Sequence, residues 1–143
     1  MRIALGSDES TELTAALERD LRERGHDLVL LGALSTGDDD AWPSVGRRVA
    51  EAVVSKTCDY GVVCCWSGTG VSIAANKVPG ARAALCADSA TSALAREWND
   101  ANVLALSLRA TPVSEVKAIL DAWFSTEPTA DPKYRGMIAN LSS

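Results

Sequence analysis

Tyr60-Gly61-Val62-Val63-Cys64-Cys65-Trp66-Ser67-Gly68-Thr69-Gly70-Val71-Ser72-Ile73-Ala74-Ala75-Asn76-Lys77 decides how this chain folds. Its first six residues form a short apolar, β-branched run of the kind that lies buried in a parallel sheet. A glycine-rich turn follows and opens a helix near Thr69. Cys65 therefore stands at the carboxyl end of a strand, where open α/β sheets collect ligands. The backbone N–H groups of Ser67, Gly68, Thr69 and Gly70 can form a concavity at the helix N-terminus that attracts negative charge. The competing reading of the same residues is a turn that only caps a helix.

Around this stretch the apolar periodicity alternates between strand and helix. Residues 2 to 7 read as a first strand, and Gly6-Ser7-Asp8-Glu9-Ser10-Thr11 supplies turn and N-cap residues for a helix with Leu13, Ala16, Leu17 and Leu21 on one face. Gly25 ends that helix, Leu28 to Leu31 is a second strand, Thr36 to Pro43 is a loop, and a helix covers about 44 to 55 with Val45, Val49, Ala52 and Val53 inward. Beyond the Cys65 strand and its helix, Ala81 to Cys86 is the fourth strand and 89 to 98 a helix. Asn102 to Leu106 is the fifth strand, 113 to 124 a long helix, and 133 to 141 a short terminal one. The order predicts a single three-layer αβα, Rossmann-like domain over residues 1–143, with a five-stranded parallel sheet covered by helices on both faces.

Composition narrows the function classes. With 143 residues and 47% apolar content, the chain suits one domain with one core. A net charge of −5 and scattered Lys and Arg argue against an extended nucleic-acid footprint. No apolar run reaches the roughly 18 residues that cross a membrane, and the opening residues are strand-like rather than a signal peptide, so the expected location is the cytoplasm. Cys58, Cys64, Cys65 and Cys86 lack metal-ligand spacing, and the adjacent pair must point to opposite faces of its strand. The lone His26 sits in a helix-to-strand connection and cannot complete a zinc site. Neither a disulfide scaffold nor a metal is expected, and Cys58 and Cys86 read as small buried hydrophobes.

Three loops fall on the carboxyl edge of the predicted sheet: Ser7-Asp8-Glu9, Cys65 to Gly70, and the segment around Asp88. Together with Ser72-Ile73-Ala74-Ala75-Asn76-Lys77, Gly80, Arg82 and Ala83, then Ala95-Arg96-Glu97, Trp98-Asn99-Asp100-Ala101-Asn102-Val103-Leu104-Ala105 and Asp121-Ala122-Trp123, they resemble the ribose 5-phosphate isomerase type B and galactose 6-phosphate isomerase family over nearly the whole chain. The resemblance implies interconversion of aldose and ketose phosphates through a cis-enediolate, with no cofactor. Family members place the base either on a Cys ahead of the glycine turn or on a Glu within it. Here Cys65 is kept and Val71 fills the Glu position, so Cys65 is the implied base. A free thiol has a pKa of about 8.5, and a helix N-terminus lowers it. Ser67 matches a Thr that contacts the developing oxyanion, backed by the amides of Gly68, Thr69 and Gly70. Asp8 and Asn99 match residues that hold substrate hydroxyls, and Arg109 matches a phosphate-binding arginine. For Asp8 a helix N-cap is the plain alternative, and for Arg109 a solvated side chain.

The departures from the family pattern cluster in the implied pocket. Glu9 replaces a His that helps hold phosphate, and Trp98 replaces the His expected to open the furanose ring. Trp66 replaces a glycine after the thiol, and Trp42 replaces a Tyr. The terminal cation cluster is reduced to Lys133 and Arg135, with Tyr134 and Met137 where the family has further basic residues. The implied assembly is a homodimer, or a tetramer built from it, with tail 127–143 packing on the partner subunit and Lys133 and Arg135 reaching its pocket. Three functions fit: an aldose–ketose isomerase on an atypical sugar or sugar phosphate (a tetrose 4-phosphate, or an unphosphorylated or modified sugar), a catalytically silent subunit, and another proton-transfer enzyme on the same scaffold.

Overall fold

In the computed structural model, which describes residues 1–141, strands and helices alternate in the predicted order. Strand β1 (Arg2–Ser7) leads to α1 (Glu12–Glu23), β2 (Asp27–Gly32), α2 (Trp42–Val54), β3 (Tyr60–Cys65) and α3 (Thr69–Asn76). Then come β4 (Ala83–Leu85), α4 (Ser89–Asn99), β5 (Val103–Ser107), a 3-10 turn (Val113–Glu115), α5 (Val116–Ser125) and α6 (Pro132–Ala139). All strand pairs are parallel, in the order β2-β1-β3-β5-β4. The chain leaves β1 toward one edge and resumes with β3 on the other side of it. The carboxyl ends of β1 and β3 thus flank a topological switch point, the place where such sheets open a crevice.

The alternation of side chains along the strands divides the interior into two cores. Ile3, Leu5, Val62, Cys64, Leu104 and Leu106 pack with Leu17 and Leu21 of α1 and Ile119, Leu120 and Trp123 of α5. On the other face Ala4, Val63, Cys65, Val103 and Ala105 meet Val45, Val49 and Val53 of α2 and Val71 and Ala75 of α3. Cys64 and Cys65 accordingly belong to opposite layers, as their adjacency in a strand requires.

Where the boundaries differ from the sequence reading, local chemistry gives the reason. Trp42 and Pro43 are the first turn of α2 rather than loop: proline's fixed φ suits that position, and its missing N–H forfeits nothing there. Strand β4 is only three residues long, because Arg82 sends its amide to the Asn102 side chain (2.7 Å) instead of into a ladder. The Asn76 side chain pins the start of β4, accepting from the Ala83 amide (2.8 Å) and donating to the Ala83 carbonyl (3.0 Å). The segment expected as one helix over 113–124 begins as a 3-10 turn after Pro112, whose cap lacks a side-chain hydrogen bond. The N-cap of α1 is Thr11, in a reciprocal pair with Thr14, which leaves Asp8 free of capping duty.

Helices α2 and α3 touch at Gly46. A methyl group there would lie 2.8 Å from both the Ala74 Cβ and the Val71 carbonyl oxygen. The backbone on one side of that contact cannot move without tilting α3, the helix that carries the glycine turn. Gly46→Ala is therefore expected to destabilise the protein by about 1–3 kcal/mol, the range for overpacking a close-packed interior. Urea unfolding measures it, and a change below about 0.5 kcal/mol would show that the two helices are not held at this distance.

Candidate active site

Cys65 is the last residue of β3 and is 5% exposed. The turn after it is fixed by its own backbone. The Cys65 carbonyl accepts from the amides of Gly68 (3.2 Å) and Leu108 (2.9 Å), and the Trp66 carbonyl accepts from the Arg109 amide and the Ser107 hydroxyl (both 3.0 Å). Gly68 caps α3 with φ +76, and a side chain there would strike Leu85 Cδ1 at 2.6 Å and the Leu106 carbonyl at 3.0 Å. Glycine is thus required for both reasons, backbone and space. The cap residue itself offers no side-chain acceptor; the Thr69 amide donates to the Ser67 hydroxyl (3.4 Å), and the Gly70 amide remains at the positive end of the helix dipole. Ser67 and Thr69 share a 2.7 Å hydrogen bond between their hydroxyls beside these amides.

Asp8, Trp42, Cys65, Trp66, Ser67, Thr69 and Gly70 line an open cleft of about 270 Å³ at this edge. Trp42 lies over Gly70, close enough that a Cβ on Gly70 would meet its indole at 2.8 Å. The loop carrying Asp8 is shaped by Ser7, whose hydroxyl donates to the Glu9 carbonyl (2.6 Å) and accepts from the Glu9 amide (3.2 Å). The buried Oδ1 of Asp8 has no hydrogen-bond partner among the described residues. Burial pushes the Asp8 carboxyl above the ordinary carboxylate range, and the negative charges of Glu9 and Asp40 push it the same way. The other three thiols are raised mainly by burial, Cys86 to about 12, and stay protonated.

The structure gathers only part of the predicted set into this cleft. Glu9 is exposed beside Asp8 and does not line the cleft, nor does Gly68, which packs against Leu85 and Leu106. Arg109 is tied by its amide to Trp66, but its exposed side chain does not line the cleft. Trp98 and Asn99 lie elsewhere, in a second cleft of about 360 Å³ with Tyr134, Met137, Ile138 and Leu141. There the Trp98 and Tyr134 rings meet edge to face, their centroids 4.8 Å apart. The segment after α5 lies on its own chain's α4 through the Thr129 amide, which donates to the Glu97 carbonyl (2.8 Å). Residues 142 and 143 of the tail fall outside the described residues. Lys133 Nζ stands 5.5 Å from the Tyr134 ring centre, and Arg135 pairs with Asp100 at 3.2 Å. Asp100, left-handed at the end of α4, also receives Arg82 and the buried Arg96. His26 is remote from the cleft, bonded to the N-terminal amine and stacked on Phe124. Among the described residues no group of three or more His, Cys, Asp or Glu could hold a metal, and no helix is long and apolar enough to cross a membrane.

Two contributors escaped the sequence reading of the site. Trp42 reads from the sequence only as a replaced loop residue, yet it covers Gly70 and lines the cleft. Asp40 acts on Asp8 through space, and nothing in the sequence links the two.

A strand-end thiol, a hydroxyl pair and a helix N-terminus at a switch point define an αβα enzyme domain with its site on the carboxyl edge of the sheet. The profile described as Ribose/Galactose Isomerase matches residues 3–140. Ribose-5-phosphate isomerase B of Mycolicibacterium paratuberculosis is 38% identical over 143 residues, spanning 99% of this chain and 90% of that protein. The protein of that name from Escherichia coli is 36% identical, over 88% of this chain and 85% of its own. The structure of ribose-5-phosphate isomerase B from Clostridium thermocellum superposes with a TM-score of 0.90 at 36% identity, covering 99% of this chain and 95% of that one. The chain belongs to the ribose/galactose isomerase family.

Because the Asp8 carboxyl is raised in the fold, the folded state holds its proton to higher pH than the unfolded chain does. Stability is lost as pH climbs from the ordinary carboxylate value, about 3.9, through the raised one, and the loss persists above it. Asp8→Asn removes this titration. The variant is expected to melt at a higher temperature than the parent at pH 7, with the gap closing as pH falls toward 4. A parent that is the more stable at pH 7 would contradict the assignment.

Proposed function

We propose that the chain is an aldose–ketose isomerase in which Cys65, as thiolate, is the base. It takes the proton from carbon 2 of the open-chain aldose, the electron pair of that C–H bond forms the C1–C2 double bond, and the carbonyl electrons move onto oxygen 1. The resulting cis-enediolate is held by the Ser67 hydroxyl and the Gly70 amide at the N-terminus of α3, donors in place before the charge develops. The Cys65 thiol then returns the proton to carbon 1, and one hydroxyl proton passes from oxygen 2 to oxygen 1 to complete the ketose. Asp8 holds substrate hydroxyls. The observation that carries this reading is the opening of Cys65 into a cleft beside the Ser67–Thr69 hydroxyl pair at the start of α3.

The substrate departs from ribose 5-phosphate. The chain's one imidazole, His26, is remote from the cleft, and Trp98 stands where the family has the ring-opening His. The sugar therefore arrives open-chain, or as one that opens without an imidazole. In the same proposal the protein is a cytoplasmic homodimer in which the α6 segment of each subunit, with Trp98, Asn99, Lys133 and Arg135, closes the cleft of the other. The exposed Met137 and Leu141 along that segment support it.

Deuterium uptake from solvent at carbons 1 and 2 tests the base. Cys65→Ala is expected to slow uptake by roughly 10²–10⁴-fold, and undiminished uptake would remove Cys65 from the role. Sedimentation tests the assembly: the 15.0 kDa chain is expected to run at twice that mass at micromolar concentration, and a monomer there would exclude the shared site.

A further inference from the structure

We propose that Thr69 is a catalytic residue of the isomerase: with Ser67 it forms a two-hydroxyl relay that carries the hydroxyl proton from oxygen 2 of the substrate to oxygen 1. This rests on the isomerase reading and fills the one transfer in it that has no named carrier. Ser67 and Thr69 both line the cleft beside Cys65, and their hydroxyl oxygens stand 2.7 Å apart. Both side chains are exposed there, and among the described residues the Thr69 hydroxyl bonds to nothing else. The Ser67 oxygen also accepts from the Thr69 amide (3.4 Å), which keeps the two residues together within one turn of chain. The pair belongs to a single chain and sits next to the base, so it is complete whatever faces it across the cleft.

Its spacing suits the intermediate. A cis-enediolate holds its two oxygens on adjacent carbons, on the same side of a double bond and within hydrogen-bond reach of each other. Two hydroxyls that are themselves hydrogen-bonded present a matching pair, and each has a proton to give and lone pairs to receive one. Once Cys65 has taken the proton from carbon 2, oxygen 1 carries the negative charge and oxygen 2 keeps its hydrogen. Ser67 gives its hydroxyl proton to oxygen 1, Thr69 gives its own to the Ser67 oxygen, and oxygen 2 gives its proton to Thr69. Three O–H bonds break and three form, so both hydroxyls are whole again and the charge has moved to oxygen 2. Because the protons move together, neither side chain becomes a free alkoxide. The electron pair on oxygen 2 then forms the ketose carbonyl as the Cys65 thiol protonates carbon 1. The relay touches oxygens 1 and 2 alone, so it serves a sugar and a sugar phosphate equally.

Partition of the intermediate tests the proposal. D-Erythrose 4-phosphate, D-ribose 5-phosphate, D-allose 6-phosphate and the three free sugars are incubated with the protein in D2O, and nuclear magnetic resonance follows deuterium at carbon 2 of the remaining aldose beside the formation of ketose. With the compound that the parent converts fastest, Thr69→Val is expected to form ketose roughly 10²-fold more slowly while deuterium still enters carbon 2, because the enediolate forms and falls back. The ratio of exchange to conversion therefore rises, and Thr69→Ser restores it. Valine keeps the branched shape, and Thr69 is exposed at the first position of α3, so the variant keeps the fold. A ratio that does not rise in Thr69→Val, whether both rates hold or both fall, overturns the relay and passes the transfer to Asp8 or water. Failure of Thr69→Ser to restore the ratio overturns it too. A parent that forms no ketose from any of the six compounds overturns the isomerase reading, and the relay with it.

Discussion

The geometry of the site depends on two backbone carbonyls at the end of the central strand. Those of Cys65 and Trp66 are both consumed by donors from the turn and from the chain just beyond β5. This leaves Gly68 pressed against the Leu106 backbone in a left-handed conformation. Buried carbonyls are costly to leave unpaired, so the turn has little freedom to take another shape. Its fixed path delivers the thiol, the hydroxyl pair and the helix terminus to one crevice. The groups that line this crevice are thus preorganised by hydrogen bonds that involve none of their side chains.

The sheet reads from the sequence because each element carries its own period. Valine runs such as Val62-Val63 and the spacing of Leu13, Leu17 and Leu21 are local signals, and α/β alternation leaves little choice of architecture. What was not legible is equally physical. The end of the Trp42-Pro43 loop became a helix because a proline reads alike as a loop breaker and as a first-turn residue. Strand β4 shrank because the side chain of Asn102 took the Arg82 amide that a ladder would have used. For the site, Cys65, Ser67, Thr69 and Gly70 are contiguous and legible together with Asp8. Trp98, Asn99, Lys133 and Arg135 come from elements at the other side of the sheet and form a separate cluster around Tyr134 and Asp100, a division that no spacing along the chain encodes.

The two clusters differ in electrostatic character. Around Asp100, three guanidiniums converge on one carboxylate, and Arg96 is sealed between the Tyr60 and Trp123 rings with its Nη1 donating to the Ala101 carbonyl (2.6 Å). Around Asp8, carboxyls face one another and indoles with no guanidinium among the lining residues. The first arrangement binds α4, the segment entering β4 and α6 together. The second keeps a desolvated carboxyl at a cost to stability, as residues that serve a ligand commonly do.

The four tryptophans divide along the same line. Trp123 is 1% exposed in the core, whereas Trp42, Trp66 and Trp98 stand at 44%, 58% and 39% in or beside the two clefts. Three of the four indoles therefore stand where a ligand would settle, and the fourth is buried beside a guanidinium. The molecule carries its own optical probe: a small quencher in solution reaches three indoles and spares the fourth, and anything occupying either cleft changes that ratio without a label being attached.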